Sequence, residues 1–471
     1  MKKSVHFVGI KGVGVAPLAI IAKEAGMNVS GCDVDQEFIT DEALKKAGIE
    51  VENKMTPDHI TTSVNLVITT GAHGGFDNPE VKRAKSLNIP VLTQGEALGE
   101  FMKGDIFSRS FEQISVSGAH GKTTTTAMIA TILKNANLDP SYLIGTSDIH
   151  SLGLPGHYGK GRYFVSEADE YATEPVHDKT PKFMWLKPKV AVVTNIEHDH
   201  PDIYPSEESM VEAFIKFTDN IDENGTLVIF GESPQTRRVA GNFKGKVVTF
   251  GYSKNNDFNV QRISIEGSKT FFWAYYKETL LGEFSIGVLG EFNCLNALAA
   301  IAVCLELGLS IDKIKEGLAI YSGSKRRAEF VGELEKGALL YDDYAHHPTE
   351  IKRTLEAFRK NYTNSNIVCI FQPHTYSRTK TLFEQFTSSF TAADELIMMD
   401  IYPSLREEKD DTVSSEMLID RISKIHKSAI FLPKADDVVK YLDEKSYGRG
   451  TIIITMGAGD VYQIKNSLKL I

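Results

Sequence analysis

The strongest constraint on the fold of this chain is the turn at residues 118–123. A short β-prone run over residues 114–117 ends at that turn, and Gly121-Lys122-Thr123 leads into an apolar helical pattern over residues 127–133. Backbone N–H groups of such a turn and the positive end of the helix dipole attract an anion, the lysine can reach terminal phosphates, and the threonine hydroxyl can bind Mg²⁺. The segment predicts a nucleotide-phosphate site. The predicted contacts are Gly118, Ala119, His120, Gly121, Lys122, Thr123 and Thr124.

A strict Walker pattern is not present. Its first glycine belongs five positions before Gly121, where this chain has Val116, and the nearest earlier glycine is Gly118. Because short Gly-Lys-Thr matches also occur by chance, an ordinary strand-to-helix turn with a surface lysine stays open as the alternative.

Length, charge and hydropathy bound the class of protein. A chain of 471 residues exceeds one typical core, and this length favours about three domains. The formal net charge of −10 argues against a general nucleic-acid binder, since affinity for phosphate backbones needs clustered Lys and Arg. No run reaches the roughly 18 apolar residues of a membrane span. The N-terminal apolar run, which resembles the start of a signal peptide, is broken by Gly9, Lys11 and Gly12. We expect a cytoplasmic monomer or homodimer without nucleic-acid or membrane partners.

The four cysteines do not form a recognisable framework. Cys32, Cys294, Cys304 and Cys369 are far apart and show no Cys-x-x-Cys spacing. Such usage is typical of a reducing compartment rather than of disulfides or a zinc ribbon. We expect structural thiols.

Residues 5–35 have the pattern strand, glycine turn, helix, strand. An acidic residue, Asp33, ends the second strand, as in a Rossmann-type βαβ unit. The turn glycines are Gly9, Gly12 and Gly14. A diphosphate on this turn would have Lys11 beside it, but a tight turn without a ligand explains the glycines equally well.

Two polar clusters follow apolar strands in the middle of the chain. Residues 162–166 run into the acidic cluster 167–170, and residues 190–194 run into the cluster 195–200. In an open parallel sheet, both clusters and the phosphate turn lie at the same ligand-facing edge. A hard cation held by Thr123, Glu167 and His200 beside a nucleotide triphosphate fits better than zinc at residues 198–200, which lacks further ligands at matching spacing. Solvated loop charges are the other alternative.

The remaining patterns predict further α/β structure. Asn293 and Asn296 lie three residues apart at the start of an apolar helix, where N-capping and purine recognition are equally good explanations. A junction at residues 322–327 precedes a third series of strands with polar residues at their ends. We expect α/β domains at residues 1–108, 109–324 and 325–471, with their functional edges facing one cleft.

Together these motifs resemble the Mur ligase family, ATP-dependent enzymes that add amino acids to a UDP-linked muramoyl precursor of peptidoglycan. The resemblance covers essentially the whole chain, and the family's shortened phosphate loop accounts for the failed Walker match. The motifs that carry it are residues 7–10, 118–124, 167–170, 194–200, Asn293 with Asn296, 326–327, 342–350 and 371–374.

The resemblance implies a three-domain architecture: a Rossmann-like UDP-binding domain, a central ATP-binding domain and a Rossmann-like amino-acid-binding domain. It implies ATP and Mg²⁺, with Lys122, Glu167 and His200 as catalytic residues and Thr123, Glu167 and His200 at the metal. The further implied ATP contacts are Asn293, Asn296, Arg327 and Asp343. The implied UDP-substrate contacts are Gly9, Lys11, Gly12, Gly14, Asp33 and Thr70. The implied amino-acid contacts are His347, His374 and Arg378.

Within the family, different segments resemble different members. Residues 342–350 and 371–379 are most similar to members that join UDP-N-acetylmuramate to L-alanine, through an acyl phosphate. Residues 171–183 look more like members that attach an intact murein tripeptide in cell-wall recycling. Lys11 and Phe292 are smaller departures from the common pattern. A nucleotide-binding regulatory protein that keeps the fold without ligation is a third possibility.

Overall fold

Three large β-sheets follow one another along the chain, each covered by helices from its own part of the sequence. They are seen in a computed structural model that describes residues 3–404, 408–426 and 428–471. The predicted α/β class and three-domain architecture are confirmed. The boundaries at residues 108 and 324 stay predictions, and each of the three sheets lies within one predicted segment.

The N-terminal domain is a four-stranded parallel sheet in the order β2-β1-β3-β4. Residues 5–8 of the first strand are fully enclosed, as expected of a central strand packed on both faces. Its elements are β1 (Ser4–Val8), α1 (Ala16–Glu24), β2 (Asn28–Cys32), α2 (Asp41–Lys46), β3 (Leu66–Thr69), α3 (Pro79–Ser86), β4 (Val91–Thr93) and α4 (Gln94–Lys103).

The central domain is built on a ten-stranded sheet in the order β16-β15-β14-β13-β12-β11-β5-β8-β6-β7. The strands β12, β11, β5, β8 and β6 are parallel neighbours, and the antiparallel β14 to β16 extend one side. Its elements are β5 (Glu112–Ser117), α5 (Lys122–Asn135), β6 (Ser141–Leu143), β7 (Gly156–His157), β8 (Tyr163–Glu167), β9 (Ala172–Glu174), β10 (Asp178–Pro181), β11 (Val190–Val193), α6 (Glu207–Thr218), β12 (Thr226–Phe230), α7 (Pro234–Asn242), β13 (Lys246–Gly251), β14 (Phe258–Glu266), β15 (Lys269–Tyr276), β16 (Thr279–Ile286), α8 (Glu291–Glu306) and α9 (Ile311–Ile320).

The C-terminal domain has six strands in the order β17-β18-β22-β19-β20-β21, and only the edge strand β17 is antiparallel to its neighbour. Its elements are β17 (Glu329–Glu333), β18 (Leu339–Asp343), α10 (Pro348–Asn361), β19 (Asn366–Phe371), α11 (Tyr376–Thr381), α12 (Phe383–Thr387), β20 (Glu395–Met398), α13 (Ser415–Ile422), β21 (Ala429–Phe431), α14 (Ala435–Lys445) and β22 (Thr451–Met456).

A small antiparallel hairpin, β9 with β10, lies outside the large sheets. The hairpin packs on the N-terminal domain, where a Cβ added to Gly71 would meet Pro175 at 2.8 Å. At the turn of the hairpin, His177 Nε2 also lies 2.8 Å from the carboxylate of Asp77 in the N-terminal domain. Residues 171–183, the segment that resembles the tripeptide-attaching members of the family, therefore lie at the border of two domains.

The cores are divided unevenly between the domains. One continuous apolar cluster joins N-terminal residues such as Phe101 to central residues such as Phe164 and Phe214. The apolar clusters on the two faces of the C-terminal sheet contain no residues from the other two domains. The N-terminal and central domains thus share a core, whereas the C-terminal domain has its own.

Candidate active site

The phosphate turn is shaped by two glycines and held by the end of β11. Gly118 and Gly121 have φ of +127° and +84°, values that L side chains rarely adopt, and α5 begins at Lys122. The Thr194 hydroxyl donates to the carbonyl oxygen of His120 at 2.6 Å, and the Asn195 side-chain oxygen accepts from the His120 N–H at 3.0 Å. The turn is therefore fixed by the neighbouring strand.

Lys122 points back over this turn. Its ammonium donates to the carbonyl oxygen of Gly118 at 2.6 Å and to both carboxylate oxygens of Glu170 at 2.8 Å. Burial by itself lowers the pKa of Lys122, but the nearby charges of Glu170 and Asp169 outweigh burial and raise it. The lysine is thus a fixed, fully charged group at the start of α5.

Glu167 and Thr123 lie beside the lysine. Glu167 accepts a 2.6 Å hydrogen bond from the Gly145 N–H, and burial raises its pKa against the opposing effects of Gly145, Lys122, Arg327 and Thr123. A hydroxyl and a carboxylate are oxygen ligands of the type that Mg²⁺ prefers, so these two side chains fit the predicted cation.

His200 reaches the same place from the end of β11. Its Nε2 lies 3.3 Å from the Glu170 carboxylate, and its ring packs edge-on to Tyr171 at 4.9 Å between centroids. The structure therefore brings Lys122, Glu167 and His200 to one cavity of about 330 Å³. His198 instead donates to the carbonyl oxygen of Tyr204 at 2.9 Å, which leaves no zinc site within residues 198–200.

Glu170 is a site residue that sequence reasoning missed. It is 1% exposed and contacts both Lys122 and His200. The acidic cluster 167–170 was recognisable, but three acidic side chains in four residues gave no way to tell which of them faces the lysine. Asp169 pairs instead with Lys182 at 2.9 Å.

His120 connects the phosphate turn to the C-terminal domain. Its two ring nitrogens lie 3.3 Å from Glu197 and 3.1 Å from Glu350. Burial opposes protonation, but the charges of Glu350 and Glu197 prevail and raise the pKa of His120 to about 9. Ligand atoms of His120, Glu197 and His347 lie close enough for a metal ion, yet a positively charged imidazole argues against that use.

A second, more apolar cavity lies on the other side of the turn. Asn293 and Asn296 line it together with Arg327 and Asp343. Its apolar walls come from Phe230, Phe250, Val288, Phe292, Leu295 and Tyr321. A slot with apolar walls, several of them aromatic, and a few polar groups suits a purine ring.

The N-capping explanation of Asn293 is wrong. The cap position of α8 is Gly290, and the Asn293 amide donates to the carbonyl oxygen of Leu289 at 2.7 Å. The Asn296 amide donates to the Asn293 side-chain oxygen at 3.0 Å. The two asparagines therefore form one polar pair, which packs against Gly121.

Arg327 and Asp343 come from the start of the C-terminal domain. Arg327 donates to the Thr123 hydroxyl at 3.4 Å, which places its charge beside the phosphate turn. Asp343 accepts from the backbone N–H groups of Ala328 and Ala345, both at 2.7 Å, and burial raises its pKa to about 6. Its hydrogen bonds to the backbone fix the loop that carries Arg327.

The predicted amino-acid contacts are engaged with protein groups. Arg378 donates through Nε and Nη2 to one oxygen of Asp199, at 3.0 and 2.9 Å, so both donors face a protein carboxylate. His374 lies next to it, with its Nδ1 3.1 Å from Arg378, and both residues line the large cavity. His347 does not line that cavity; it caps α10 behind it.

The structure divides the predicted UDP-substrate contacts. Gly12, Gly14 and Thr70 line the large cavity, whereas Gly9, Lys11 and Asp33 do not. The Lys11 ammonium donates to the carbonyl oxygen of Gln36 at 2.8 Å and pairs with Asp41 at 3.5 Å, so its charge is engaged by protein groups. The Asp33 carboxylate accepts from the Lys11 backbone N–H at 2.8 Å and so supports the turn from behind.

Family models match this chain in three consecutive segments. The "Mur ligase family, catalytic domain" matches residues 4–105, the "Mur ligase middle domain" residues 116–304, and the "Mur ligase, glutamate ligase domain" residues 326–459. The chain belongs to the Mur ligase family. This Mur ligase is accordingly an ATP-dependent ligase that joins an acid to an amino acid.

Curated relatives match over nearly their whole length. A protein of Desulfitobacterium hafniense named UDP-N-acetylmuramate--L-alanine ligase is 37% identical to this Mur ligase, over 99% of this chain and 100% of the relative. A protein of the same name from Acetivibrio thermocellus is 40% identical over 98% and 94%.

Solved structures agree with this assignment. The UDP-N-acetylmuramate-alanine ligase of Thermotoga maritima superposes with a TM-score of 0.81 at 28% identity, covering 98% of this Mur ligase and 97% of that chain. A murein peptide ligase from Psychrobacter arcticus shares the fold with a TM-score of 0.73 at 24% identity, over 99% and 98%. Within the described parts of the chain, no helix has the length and apolar character needed to cross a bilayer.

Proposed function

We propose that this protein forms the amide bond between UDP-N-acetylmuramate and L-alanine at the expense of ATP, in the cytoplasm, during synthesis of peptidoglycan precursors. The observation that carries the proposal is one cavity lined by all three domains. Gly12 from the N-terminal turn, Lys122 from the phosphate turn and Arg378 from the C-terminal domain all face it. The names of the relatives given above support UDP-N-acetylmuramate and L-alanine as the substrates.

The nucleotide would lie across the start of α5. The purine would occupy the slot beside Asn293 and Asn296, and the phosphates would lie on the turn at Gly121, which lines both cavities. Lys122 and Arg327 supply positive charge on either side of Thr123. Fixed charges of this kind stabilise the charge that moves during phosphoryl transfer.

One divalent cation fits beside these groups. The Thr123 hydroxyl and the Glu167 carboxylate would hold it, with His200 on the far side of Glu170 as a third candidate. When bound, Mg²⁺ neutralises phosphate charge and helps align the reacting oxygens. The raised pKa of buried Glu167 is consistent with a carboxylate that gains stability from a cation.

The chemistry requires activation of a carboxylate. A carboxylate is a poor electrophile, so transfer of the γ-phosphoryl group of ATP to the muramoyl carboxylate gives an acyl phosphate and ADP. The amine of L-alanine then attacks the acyl carbon, and phosphate leaves as the amide forms. The task of the protein is to align three substrates and exclude water, which positioning by three domains around one cavity achieves.

The amino acid would enter on the side of the C-terminal domain. Arg378 and His374 line the cavity there, and the Asp199 carboxylate lies against Arg378. In this arrangement Arg378 would bind the α-carboxylate of alanine after exchanging its contacts with Asp199 or His374. His347 acts from behind through its cap on α10.

An intact murein tripeptide is the second candidate amine. The observation that favours it is the hairpin of β9 and β10, which continues the segment from Tyr171 at the cavity to the N-terminal domain. A larger substrate would need an extended surface of this kind. Relatives that match nearly the whole chain carry the L-alanine name, which favours L-alanine.

The deciding experiment measures ADP release with ATP, Mg²⁺ and UDP-N-acetylmuramate across free amino acids and the murein tripeptide. We expect kcat/KM to be highest for L-alanine. A higher value for the tripeptide would assign the protein to recycling. If no amine released ADP while ATP still bound, the regulatory alternative would replace the ligase.

A further inference from the structure

A cluster of metal-ligand side chains lies in the N-terminal domain, outside both cavities described above. It consists of His6, Cys32, His59 and Glu80, which we call the Cys-His-His-Glu cluster. Each side chain offers one ligand atom, and the four atoms lie within 4.8 Å of one another. None of them has a part in the reaction proposed above.

The fold brings the four residues together from four separate segments. In the parallel pairing of β1 with β2, His6 lies opposite Ser30 and Val8 opposite Cys32, so His6 and Cys32 project from the same face of the sheet. Glu80 is in the first turn of α3, which packs on that face, and His59 ends a single helical turn at Pro57–His59. The cluster thus ties two strands, a loop and a helix.

The distances suit a tetrahedral site. Glu80 Oε2 lies 2.9 Å from the Cys32 sulfur and 3.2 Å from His6 Nε2, and Glu80 Oε1 lies 2.7 Å from His59 Nδ1. Zinc bonds of ~2.0 Å to nitrogen or oxygen and ~2.3 Å to sulfur require ligand atoms to be about 3.3–3.5 Å apart in a site with one sulfur. The remaining ligand pairs lie within 4.8 Å of one another, so shifts of about 1 Å would arrange the cluster around an ion.

The surroundings of His6 resemble the outer shell of a metal site. The His6 Nδ1 lies 2.9 Å from the Ser30 hydroxyl, which can either donate or accept a hydrogen bond. With a metal on Nε2, the ring proton would lie on Nδ1 and be donated to Ser30. Ligating histidines characteristically make such a hydrogen bond with their other nitrogen.

The charges of the cluster would balance. A Cys32 thiolate and a Glu80 carboxylate carry two negative charges, and two neutral imidazoles add none, so a divalent cation makes the cluster neutral. His6, Cys32 and Glu80 are at most 2% exposed, which keeps competing water away. The His59 side chain is 22% exposed and provides an entry path.

We propose that the Cys-His-His-Glu cluster is a structural zinc site. Binding would form one bond from each side chain to Zn²⁺, and the Cys32 thiol proton would pass to solvent. Four protein ligands leave no open position, so the ion has no part in the chemistry. Its effect would be on the nearby turn, because the Cys32 carbonyl oxygen accepts the Gly9 N–H at 2.9 Å.

The cluster escapes sequence reasoning because its ligands lack the paired spacing of known zinc motifs. A single cysteine and two histidines 53 residues apart give no periodic signal, as the positions of His6 and His59 show. Only the pairing of β1 with β2 and the packing of α3 make them neighbours.

The test is metal binding by the full-length protein. Metal-depleted protein is titrated with Zn²⁺ and with Co²⁺, followed by elemental analysis and by visible absorption, in which cobalt reports tetrahedral geometry and thiolate ligation. We expect one tightly bound ion per chain with a thiolate-to-cobalt band. Cys32→Ser should remove that band and weaken Zn²⁺ binding by at least about 100-fold, since even outer-shell changes cost 10–100-fold.

The matched control is Cys369→Ser, which removes another buried thiol, in the C-terminal sheet, and should keep both the ion and the band. His59→Gln covers the case in which Cys32→Ser does not fold, because His59 lies at the partly exposed edge; it should also lose tight binding. Wild-type protein that takes up no Zn²⁺, or binds cobalt without a thiolate band, would overturn the proposal. A folded Cys32→Ser variant that binds Zn²⁺ as tightly as the wild type would also overturn the proposal.

Discussion

Glu170 holds Lys122 in place, with both carboxylate oxygens 2.8 Å from the lysine ammonium. The same carboxylate lies 3.3 Å from His200, so a single buried side chain aligns two groups that would meet the nucleotide phosphates. Glu170 is thus the link between the phosphate turn and the end of β11.

Replacing the lysine tests the phosphate turn directly. Lys122→Ala should lower the rate of ADP release by at least about 10²-fold, as expected when a preorganised charge at the transferring phosphate is removed. This change also leaves the Glu170 carboxylate buried without its cation. The double variant Lys122→Met/Glu170→Gln leaves no unpaired charge, so it serves as the folded control and should be equally inactive. Circular dichroism checks the fold, and near-normal turnover in either protein would remove Lys122 from the mechanism.

The glycine of the turn allows a test with a matched control. Gly121 and Gly153 both have φ near +85°, but a Cβ at Gly121 would collide with Asn296, whereas nothing lies within 4 Å at Gly153. Each change to alanine should cost about 1 kcal/mol of backbone strain. Gly121→Ala should in addition raise the Kd for ATP, measured by titration calorimetry, and Gly153→Ala should not. Equal ATP affinities would argue against a nucleotide at this turn.

The contact between the central and C-terminal domains should depend on pH. The pKa of His120 is raised to about 9 in the folded protein by Glu350 and Glu197, with the His347 ring also packed against it. The stabilisation from this contact is therefore fully present below pH ~6.5, the pKa of histidine in the unfolded chain. It is lost as the pH rises through 9, which lowers the free energy of unfolding by up to about 3 kcal/mol.

The melting temperature of the wild type should accordingly fall as the pH rises from 7 to 9.5. His120→Gln should flatten this decline, since its side chain does not titrate. His150→Gln is the control, because His150 contacts the carbonyl oxygen of Ser322 rather than a carboxylate. A decline that persists unchanged in His120→Gln would locate the titration elsewhere.

The ion pair of Arg378 with Asp199 should be strongly coupled. Both side chains are about 95% buried, so removing one partner leaves a charge without compensation and should cost about 3–5 kcal/mol. Asp199→Asn combined with Arg378→Met should cost clearly less than the sum of the single changes in urea unfolding. The exposed pair of Arg238 with Glu208 is the control, and its coupling should not exceed about 1 kcal/mol. Similar coupling in both pairs would contradict the burial argument.

Most of the fold could be predicted from the sequence, because buried parallel strands give short apolar runs. The runs at Val5, Ile114 and Val190 lie in strands β1, β5 and β11. The hairpin of β9 and β10 could not be predicted, since its mostly polar residues show no apolar alternation and it packs against another domain.

The candidate site was predictable at the level of strand ends but not of individual partners. Glu167 and His200 follow buried strands, and the parallel sheet carries both to the phosphate turn. Tertiary packing decides which carboxylate faces Lys122. It also directs the Lys11 side chain toward Asp41. Sequence spacing does not encode those choices.

The division of the cores indicates which domain could move relative to the other two. Separating the N-terminal from the central domain would expose the apolar surface that they bury together, whereas the C-terminal domain meets its neighbour through ionic contacts such as His120 with Glu350 and Arg378 with Asp199. Movement of the C-terminal domain away from the central domain would therefore break ionic contacts without opening a shared apolar core. Because both ionic contacts are largely buried, salt would screen them only weakly, and rising ionic strength alone would not free this domain.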